Sequence, residues 1–247
     1  MSLRKLFDYS QPIVAAATIV SVALFALGGI AGVTAYKIKN AGDIVSVTGS
    51  ARELVTADFA RLVLNIETKT GMDDQAVGER TLNTAIVRIL GELKKQGFTD
   101  IELPAGSANP QYYYPQNSAP VMTGYSLARQ IIVRSEEVTK MQELANGIGA
   151  FSGSGYTVTF NGLELTYRKL DTMRVALLSK AIADARARVD AIAKESGRTV
   201  GTLRSSASGV VQVLPKGGVD VSDYGMYDTQ SLEKEVMVTV RATFSLE

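Results

Sequence analysis

An uninterrupted apolar run near the N-terminus is the feature that most constrains how this chain can fold. From Ser10 to Tyr36 there is no charged residue, and the apolar body, Ile13 to Ala35, reads IVAAATIVSVALFALGGIAGVTA. Because a helix rises about 1.5 Å per residue, a run of this length can cross a hydrocarbon core of about 30 Å. The sequence therefore predicts a transmembrane helix over 13–36, preceded by a cytoplasmic segment at 1–12 and followed by a linker at 37–43.

Two fates are open for this run. Its length exceeds the apolar core of a signal peptide, about 7 to 15 residues, which favours a retained signal-anchor. Val33-Thr34-Ala35 nevertheless has the small residues that signal peptidase accepts, so cleavage before Tyr36 is the alternative. Two basic residues precede the run and two follow it, which leaves the positive-inside rule nearly tied. The free amino terminus favours the N-inside orientation.

Within the run, Gly28 and Gly32 form a G-x-x-x-G pair. Small residues at this spacing let two membrane helices approach closely, so the pair is a candidate surface for helix–helix packing. The alternative is that small residues are simply common in membrane helices.

The absence of two residue types excludes most enzyme chemistries. The 247 residues include no Cys and no His, which removes thiolate nucleophiles, Cys/His zinc sites, Ser-His-Asp triads and histidine acid–base catalysis. We therefore expect no catalytic residues, no cofactor and no metal, and only a pair of carboxylates stays open as a catalytic strategy. A net charge of +1 lacks the basic surface of a nucleic-acid-binding protein, so nucleic acid is not an expected partner.

Beyond the run, strand and helix periods alternate along the chain. Apolar residues spaced by two predict half-buried strands, and apolar stripes with a period of 3.6 predict helices. The pattern indicates an α+β domain over 44–247, built from mainly antiparallel sheets covered by helices and preceded by one N-terminal transmembrane helix. The expected core comprises Leu62, Leu64, Ile66, Ile86, Ile89, Ala181, Val189, Val238 and Val240.

Several local signals refine this prediction. A second, shorter helix is expected to be capped by Ser135. The helix before it is expected to bury a stripe of Val77, Leu82, Ile86, Ile89, Leu90 and Leu93. The strand alternation shifts phase at Gly162, which indicates a bulge. Gly197 ends the longest soluble helix in the position of a left-handed cap.

Three segments resemble one known family. The opening IVSVTGSARELVTADFARLVLNIET is similar to the start of SIMPL-domain proteins, in which a V-x-G-x-G-like strand precedes a P-D-x-A element. Asp58 and Ala60 match that element, while Ala57 stands in the proline position and Ser50-Ala51 in place of the second glycine. The segments TGYSLARQIIVRSEEVTKMQELAN and SKAIADARARVDAIAKESGRTVGTL, with the preceding NPQYYYPQ, match the later blocks of the family in order and spacing.

The resemblance implies a location more than a chemistry. SIMPL-domain proteins are mostly exported to the bacterial periplasm or cell surface, have been linked to stress resistance and include oligomers built from the α+β domain. No catalytic residue set is attached to the family, so none is transferred to this chain. The departures at Ala57 and Ala51 affect a local turn rather than an active site.

Tyrosines mark the candidate interaction surfaces. The tract from Pro104 to Pro120 contains no charge and holds three consecutive tyrosines, and a second loop, Lys216 to Ser231, adds two more. Tyr buries a large area at little entropic cost and keeps a hydroxyl for hydrogen bonding, so a subunit interface is predicted. The alternative is that the tract is an irregular, proline-rich edge whose tyrosines pack on the domain's own core. The predicted interface residues are Tyr112, Tyr113, Tyr114, Tyr224 and Tyr227.

The second loop also carries Asp220, Asp223 and Asp228. It departs from a calcium-binding EF-hand loop, because Tyr224 stands where an oxygen ligand is expected and no glutamate closes the loop. A solvated acidic loop is the expected structure.

These observations predict a non-enzymatic protein that assembles with copies of itself. A single-pass anchor in the bacterial inner membrane would display the C-terminal domain in the periplasm, where a ring or cage would serve as a scaffold or envelope-stress structure. The expected partners are a second copy and membrane lipid. Two alternatives stay open: a carboxylate-dependent hydrolase of envelope polymers, and a module that binds a ligand or peptide.

Overall fold

The computed structural model of the protein describes residues 12–40, 43–218 and 224–247. Within these ranges the chain alternates between helices and strands, as an α+β fold requires. In chain order the elements are helix α1 (Pro12–Asn40), strands β1 (Ile44–Thr56) and β2 (Phe59–Thr70), helix α2 (Gln75–Lys95), strands β3 (Asp100–Glu102), β4 (Ser107–Tyr113) and β5 (Val121–Ser135), helix α3 (Val138–Asn146), a short 3-10 helix (Ile148–Phe151), strand β6 (Thr157–Thr166), helix α4 (Leu170–Glu195), and strands β7 (Val200–Ser208), β8 (Gln212–Pro215) and β9 (Glu233–Leu246).

Helix α1 contains a segment that is long and apolar enough to cross a membrane, Ala16–Tyr36. Three hydroxyl side chains in the helix, those of Thr18, Ser21 and Thr34, donate to the carbonyl four residues earlier at 2.8 to 2.9 Å, so these three hydroxyls are satisfied within the helix. The helix continues to Asn40, past the predicted end at Tyr36 and into the predicted linker. The predicted cytoplasmic segment lies outside the described residues, except for Pro12.

The described chain divides into two compact units. The first comprises residues up to 49 together with 182–207 and 240–247, and the second comprises 50–181 and 208–239. In the first unit the C-terminal half of α4 buries Ala185, Val189 and Ala193. An ion pair at 2.7 Å between Arg198 and Asp43 lies in the same unit.

The second unit contains a five-stranded antiparallel sheet in the order β3-β5-β2-β6, in which β4 also pairs with β5. Strand β2 buries every second residue, so Leu62, Leu64 and Ile66 are fully buried as the alternation predicts. The predicted bulge is confirmed, because the register between β2 and β6 shifts opposite Gly162.

The predicted stripe of helix α2 is confirmed at Leu82, Ile89 and Leu93, but not at two of its positions. Its buried stripe runs through Gly78, Leu82, Ala85, Ile89 and Leu93, whereas Val77 is 49% exposed and Ile86 is only half-buried. Adjacent helix positions point about 100° apart, so burial of the residue at 85 turns the next one toward the edge of the contact. A Cβ at Gly78 would lie 2.3 Å from the Thr70 side chain, so only glycine lets the helix approach β2 this closely.

The remaining strands form a four-stranded sheet in the order β1-β9-β7, with β8 pairing antiparallel to β9. The prediction of mainly antiparallel sheets under helices is confirmed, with two sheets. In the second unit the first half of α4 covers this sheet through Leu177, which packs with Val213, Val236 and Val238. The predicted cap at Gly197 is also confirmed, with φ of +68°.

Helix α3 begins later than predicted. Its first residue is Val138, and Ser135 does not cap it. Instead the Ser135 hydroxyl oxygen accepts a hydrogen bond from the backbone N–H of Glu137 at 3.0 Å, which forms a turn before the helix.

Candidate functional site

Part of the proline- and tyrosine-rich tract, Ser107–Tyr113, forms a strand, which corrects the prediction of an irregular segment there. Strand β4 pairs antiparallel with β5, and Pro110 is accommodated within it. Among the described strands β4 pairs with β5 alone, so it is an edge strand, and edge strands are where a sheet accepts proline. The alternation of the tract did not reveal this strand, because both of its faces are open to solvent.

The tip of this hairpin projects past its neighbouring strand. Strand β2 pairs with β5 only as far as Tyr125, whereas β4 pairs onward through Met122 and Val121. We call the described segment 112–122 the tyrosine arm. Its tyrosines are exposed by 48, 63 and 72%, in the order Tyr112, Tyr113, Tyr114, which rules out the alternative that they form the domain's own core.

The tyrosine arm carries no charge, and its base is tightly held. No Asp, Glu, Lys or Arg occurs from Leu103 to Ala128. At the base the β4–β5 register shifts, and a Cβ at Gly124 would lie 1.9 Å from the carbonyl oxygen of Thr70. The arm therefore leaves the sheet in close contact with the end of β2, in a direction that a larger residue at 124 would change.

The other two predicted interface tyrosines lie in the connection between β8 and β9. These strands belong to the four-stranded sheet, whereas the tyrosine arm belongs to the five-stranded one. Tyr224 is 97% exposed. The Tyr227 hydroxyl is engaged within its own chain, because it accepts a hydrogen bond from the Tyr167 backbone N–H at 3.0 Å and donates to the Tyr167 carbonyl at 3.2 Å. Gly28 and Gly32 lie on α1 with open space around them, since a Cβ at either would meet nothing within 4 Å.

A buried ion pair lies beside Tyr227. The Lys234 side chain is fully buried, and its ammonium donates to the Asp228 carbonyl at 2.6 Å and to the Asp228 carboxylate at 3.1 Å. Asp228 is thus engaged within the chain, while Asp220 and Asp223 lie outside the described residues. Sequence reasoning missed Lys234, although it falls in phase with the buried residues Val236 and Val238 of β9.

An open groove of about 640 Å³ lies at the opposite end of β5 from the tyrosine arm. Its floor includes Ala57, Val138 and Leu232, of which the first two are buried. The backbone N–H of Ala57 donates to the Leu232 carbonyl at 2.9 Å, which holds the floor together. The lining residues are Thr56, Ala57, Glu136, Glu137, Val138, Thr139, Lys140, Glu143 and Leu232. We call this the α3 groove.

Arg168 holds Glu136, one of the residues that line the α3 groove. Its backbone N–H donates to the Asp58 carboxylate at 2.9 Å, its guanidinium bonds to Glu136 at 2.5 Å, and it stacks 4.5 Å over the Phe59 ring. The hydrogen bond from Arg168, aided by its charge, holds the pKa of Glu136 below its ordinary value. Asp58, the acidic residue of the A-D-F-A segment, therefore acts in the structure as a partner of the β6–α4 connection.

Two acidic side chains of the α3 groove, Glu136 and Glu137, are paired with basic ones. A general-acid carboxyl needs a raised pKa, whereas that of Glu136 is lowered. Glu137 pairs with Lys140 at 3.0 Å on the solvent side of α3. In the part of the chain that the structure describes, no three acidic side chains come close enough together to hold a metal ion.

Comparison with known proteins identifies the family. The family model SIMPL, described as a protein of unknown function (DUF541), matches residues 45–244. The chain belongs to the SIMPL family. The match covers both units, so the resemblance seen in the opening strand and the two later blocks is confirmed.

Two SIMPL-family relatives come from Brucella. The 26 kDa periplasmic immunogenic protein of Brucella melitensis biotype 1 is 26% identical over 167 residues, which cover 63% of this chain and 64% of the relative. Its counterpart from Brucella abortus strain S19 is 25% identical over the same shares. The chain thus spans less than two thirds of the length of the curated relatives it matches, and those relatives are periplasmic proteins by name.

Proposed function

We propose that this protein is a non-enzymatic, membrane-anchored scaffold of the bacterial envelope that assembles with copies of itself through the tyrosine arm. Helix α1 would hold it in the inner membrane by a single pass, with the SIMPL domain in the periplasm. The name of the Brucella relatives supports the compartment, and the apolar segment Ala16–Tyr36 supports the anchor.

The observation that carries the proposal is the exposed, uncharged, aromatic tip of the β4–β5 hairpin. Tyr112 and Tyr113 lie exposed at the end of β4, and Tyr114, directly after the strand, is exposed as well. Buried aromatic side chains, with few charges around them, are typical of interface centres. Exposed aromatic side chains grouped in this way are a feature of protein interaction sites.

Anchoring in a membrane would strengthen even a weak contact. Copies tethered by α1 share one plane, so each further contact in an assembly forms at a raised effective concentration. A ring or cage closed in this way would serve as a scaffold, and the stress-related role that the family resemblance implies is one use of such a structure.

The full-length chain, purified in detergent, tests this proposal. Its mass by light scattering, corrected for bound detergent, should correspond to several copies, and its intact polypeptide mass should include α1. Changing Tyr112, Tyr113 and Tyr114 together to Ser should reduce it to a monomer with an unchanged circular dichroism spectrum, because exposed arm residues contribute little to the fold.

A matched control is Val87→Ser, at an exposed residue of α2 away from the arm that is 72% exposed. This variant should keep the wild-type mass. A wild-type chain of monomer mass would contradict self-assembly, and a triple variant that keeps the full mass would remove the tyrosine arm from the interface.

A further inference from the structure

Two Asn-Gly dipeptides occur in the chain, at 146–147 and 161–162. All four residues are exposed to solvent. Glycine has no side chain, so its backbone nitrogen can approach the side chain of the preceding asparagine more closely than that of another residue could. Both dipeptides are therefore candidates for a covalent change that needs no enzyme, and the backbone around them decides which of the two reacts.

The change is deamidation through a cyclic imide. The backbone nitrogen of the glycine attacks the side-chain carbonyl carbon of the asparagine, Cγ, and a bond forms between them. The bond from Cγ to Nδ2 breaks, and ammonia leaves with the proton that the backbone nitrogen gives up. One molecule of solvent water then opens the ring at either of its two carbonyls, which yields aspartate or isoaspartate. Nothing is oxidised or reduced. Because the attack is intramolecular, its rate depends on the backbone conformation that brings the two atoms together.

The first dipeptide is held away from this reaction by helix α3. Asn146 is the last residue of the helix, and the backbone N–H of Gly147 donates to the Glu143 carbonyl at 3.0 Å and to the Leu144 carbonyl at 3.2 Å. The nitrogen would have to leave these hydrogen bonds before it could attack Cγ of Asn146. Asn146 should therefore react slowly while α3 is folded.

The second dipeptide lies in the bulge of β6. The register between β2 and β6 shifts between Leu62 and Leu64 and passes over Asn161 and Gly162. The φ of Gly162 is +90°, and a Cβ there would meet nothing within 4 Å. Among the described strands, β6 is the last in the order of its sheet, so a neighbouring strand restrains it on one side only. The sheet thus holds this dipeptide less firmly than α3 holds the first.

We infer that Asn161 is a site of spontaneous deamidation in the folded protein and that Asn146 is protected. The reaction replaces a neutral amide by a carboxylate on the exposed side of β6, so chains gain negative charge there as they age. Isoaspartate also lengthens the main chain by one methylene, at a point where the register already accommodates an extra residue. This inference goes beyond the proposed self-assembly and does not depend on it.

Mass spectrometry of the aged full-length chain tests this inference. The purified protein is kept in detergent at mildly alkaline pH, and samples are digested with trypsin over several weeks. Both asparagines fall within one tryptic peptide, 141–168, because no Lys or Arg lies between its ends. Fragment ions therefore compare the two sites in the same molecule. We expect the conversion of amide to acid to proceed about tenfold faster at Asn161, since release of the Gly147 N–H costs about one to two backbone hydrogen bonds.

Two controls separate the effect of the fold from that of the local sequence. In the chain unfolded in guanidinium chloride, both dipeptides should react at similar rates, because neither backbone is then restrained. Asn161→Gln should abolish the reaction at position 161, since the attack would have to form a larger ring, and should leave the slow reaction at Asn146 unchanged.

Three results would overturn the inference. The first is a folded chain in which Asn146 reacts as fast as Asn161. The second is a folded chain in which Asn161 stays unmodified while the unfolded chain reacts. The third concerns the route: the imide yields aspartate and isoaspartate, which have equal mass and separate by chromatography, so aspartate as the single product would contradict it.

Discussion

The ion pair between the fully buried Lys234 of β9 and Asp228 can be tested by mutation. Asp228→Ala removes the carboxylate that receives the Lys234 ammonium at 3.1 Å, while the lysine itself stays 0% exposed. Removal of one partner from a buried ion pair costs about 3 to 5 kcal/mol, because the other charge loses its counter-charge. The backbone carbonyl at position 228, which accepts from Lys234 at 2.6 Å, stays in place and favours the lower end of this range. With about 2 to 4 °C per kcal/mol for a chain of this size, the melting temperature should fall by about 6 to 20 °C.

Two companion variants show whether the charge is responsible. Lys234→Met removes the buried ammonium but leaves Asp228 with hydrogen bonds from the backbone N–H groups of Gln230 and Ser231, so its cost should be smaller. The double variant, Asp228→Ala with Lys234→Met, should recover much of the lost stability, because an apolar pair of similar shape is often neutral in place of an ion pair. Thermal unfolding of the full-length chain by circular dichroism measures all three.

The stability that Asp228 contributes to the fold should depend on pH in a definite direction. Burial raises the pKa of Asp228, but hydrogen bonds from Gln230, Ser231 and Lys234, with the lysine charge, outweigh burial and hold the pKa below its ordinary value. A carboxyl with a depressed pKa in the folded state stabilises the fold above its unfolded pKa, and this contribution is lost as the pH falls through the folded value. The gap between wild type and Asp228→Ala should therefore narrow below about pH 4. A melting temperature lowered by less than about 2 °C at pH 7, or a double variant no more stable than Asp228→Ala, would refute this account.

Two further predictions use matched residues. Gly124→Ala should destabilise the second unit, because its Cβ would lie 1.9 Å from the last carbonyl oxygen of β2. The control, Gly91→Ala, places a Cβ that meets nothing within 4 Å, so it should stabilise α2 by about 0.5 to 1 kcal/mol. Urea unfolding in which both variants change stability in the same direction would contradict the close approach of β2 to Gly124. Ile89→Ala should cost about 2 to 5 kcal/mol and Ile86→Ala clearly less, because the first side chain is fully buried and the second is not. Equal losses in the same urea titrations would show that the orientation of α2 is wrong.

Part of the interaction surface was predictable and part was not. The absence of charge and the density of tyrosines in the 104–120 tract are properties of the sequence, so a contact surface was predicted there. The pairing of β4 with β5, which makes that tract a projecting hairpin, requires two segments to meet. The α3 groove was not predicted at all, because its lining comes from three separate regions of the chain.

The contacts of Arg168 likewise could not be predicted from the sequence. Its contact with Asp58 joins residues 110 positions apart in the chain, and no local period relates them. Only the antiparallel pairing of β2 with β5 and β6 brings the A-D-F-A segment, the start of α3 and the β6–α4 connection together.

The sequence by itself determined what depends on neighbours along the chain: the apolar helix of 16–36, the alternation that buries Leu64 and Val238, and the left-handed turn at Gly197. These follow from local hydropathy, strand or helix period and backbone sterics. The tertiary structure alone decided that Ala85 rather than Ile86 faces the sheet, that Lys234 is paired inside the domain, and that arm and groove lie at opposite ends of β5. Each of these depends on which distant segments pack together, and a local period carries no information about that choice.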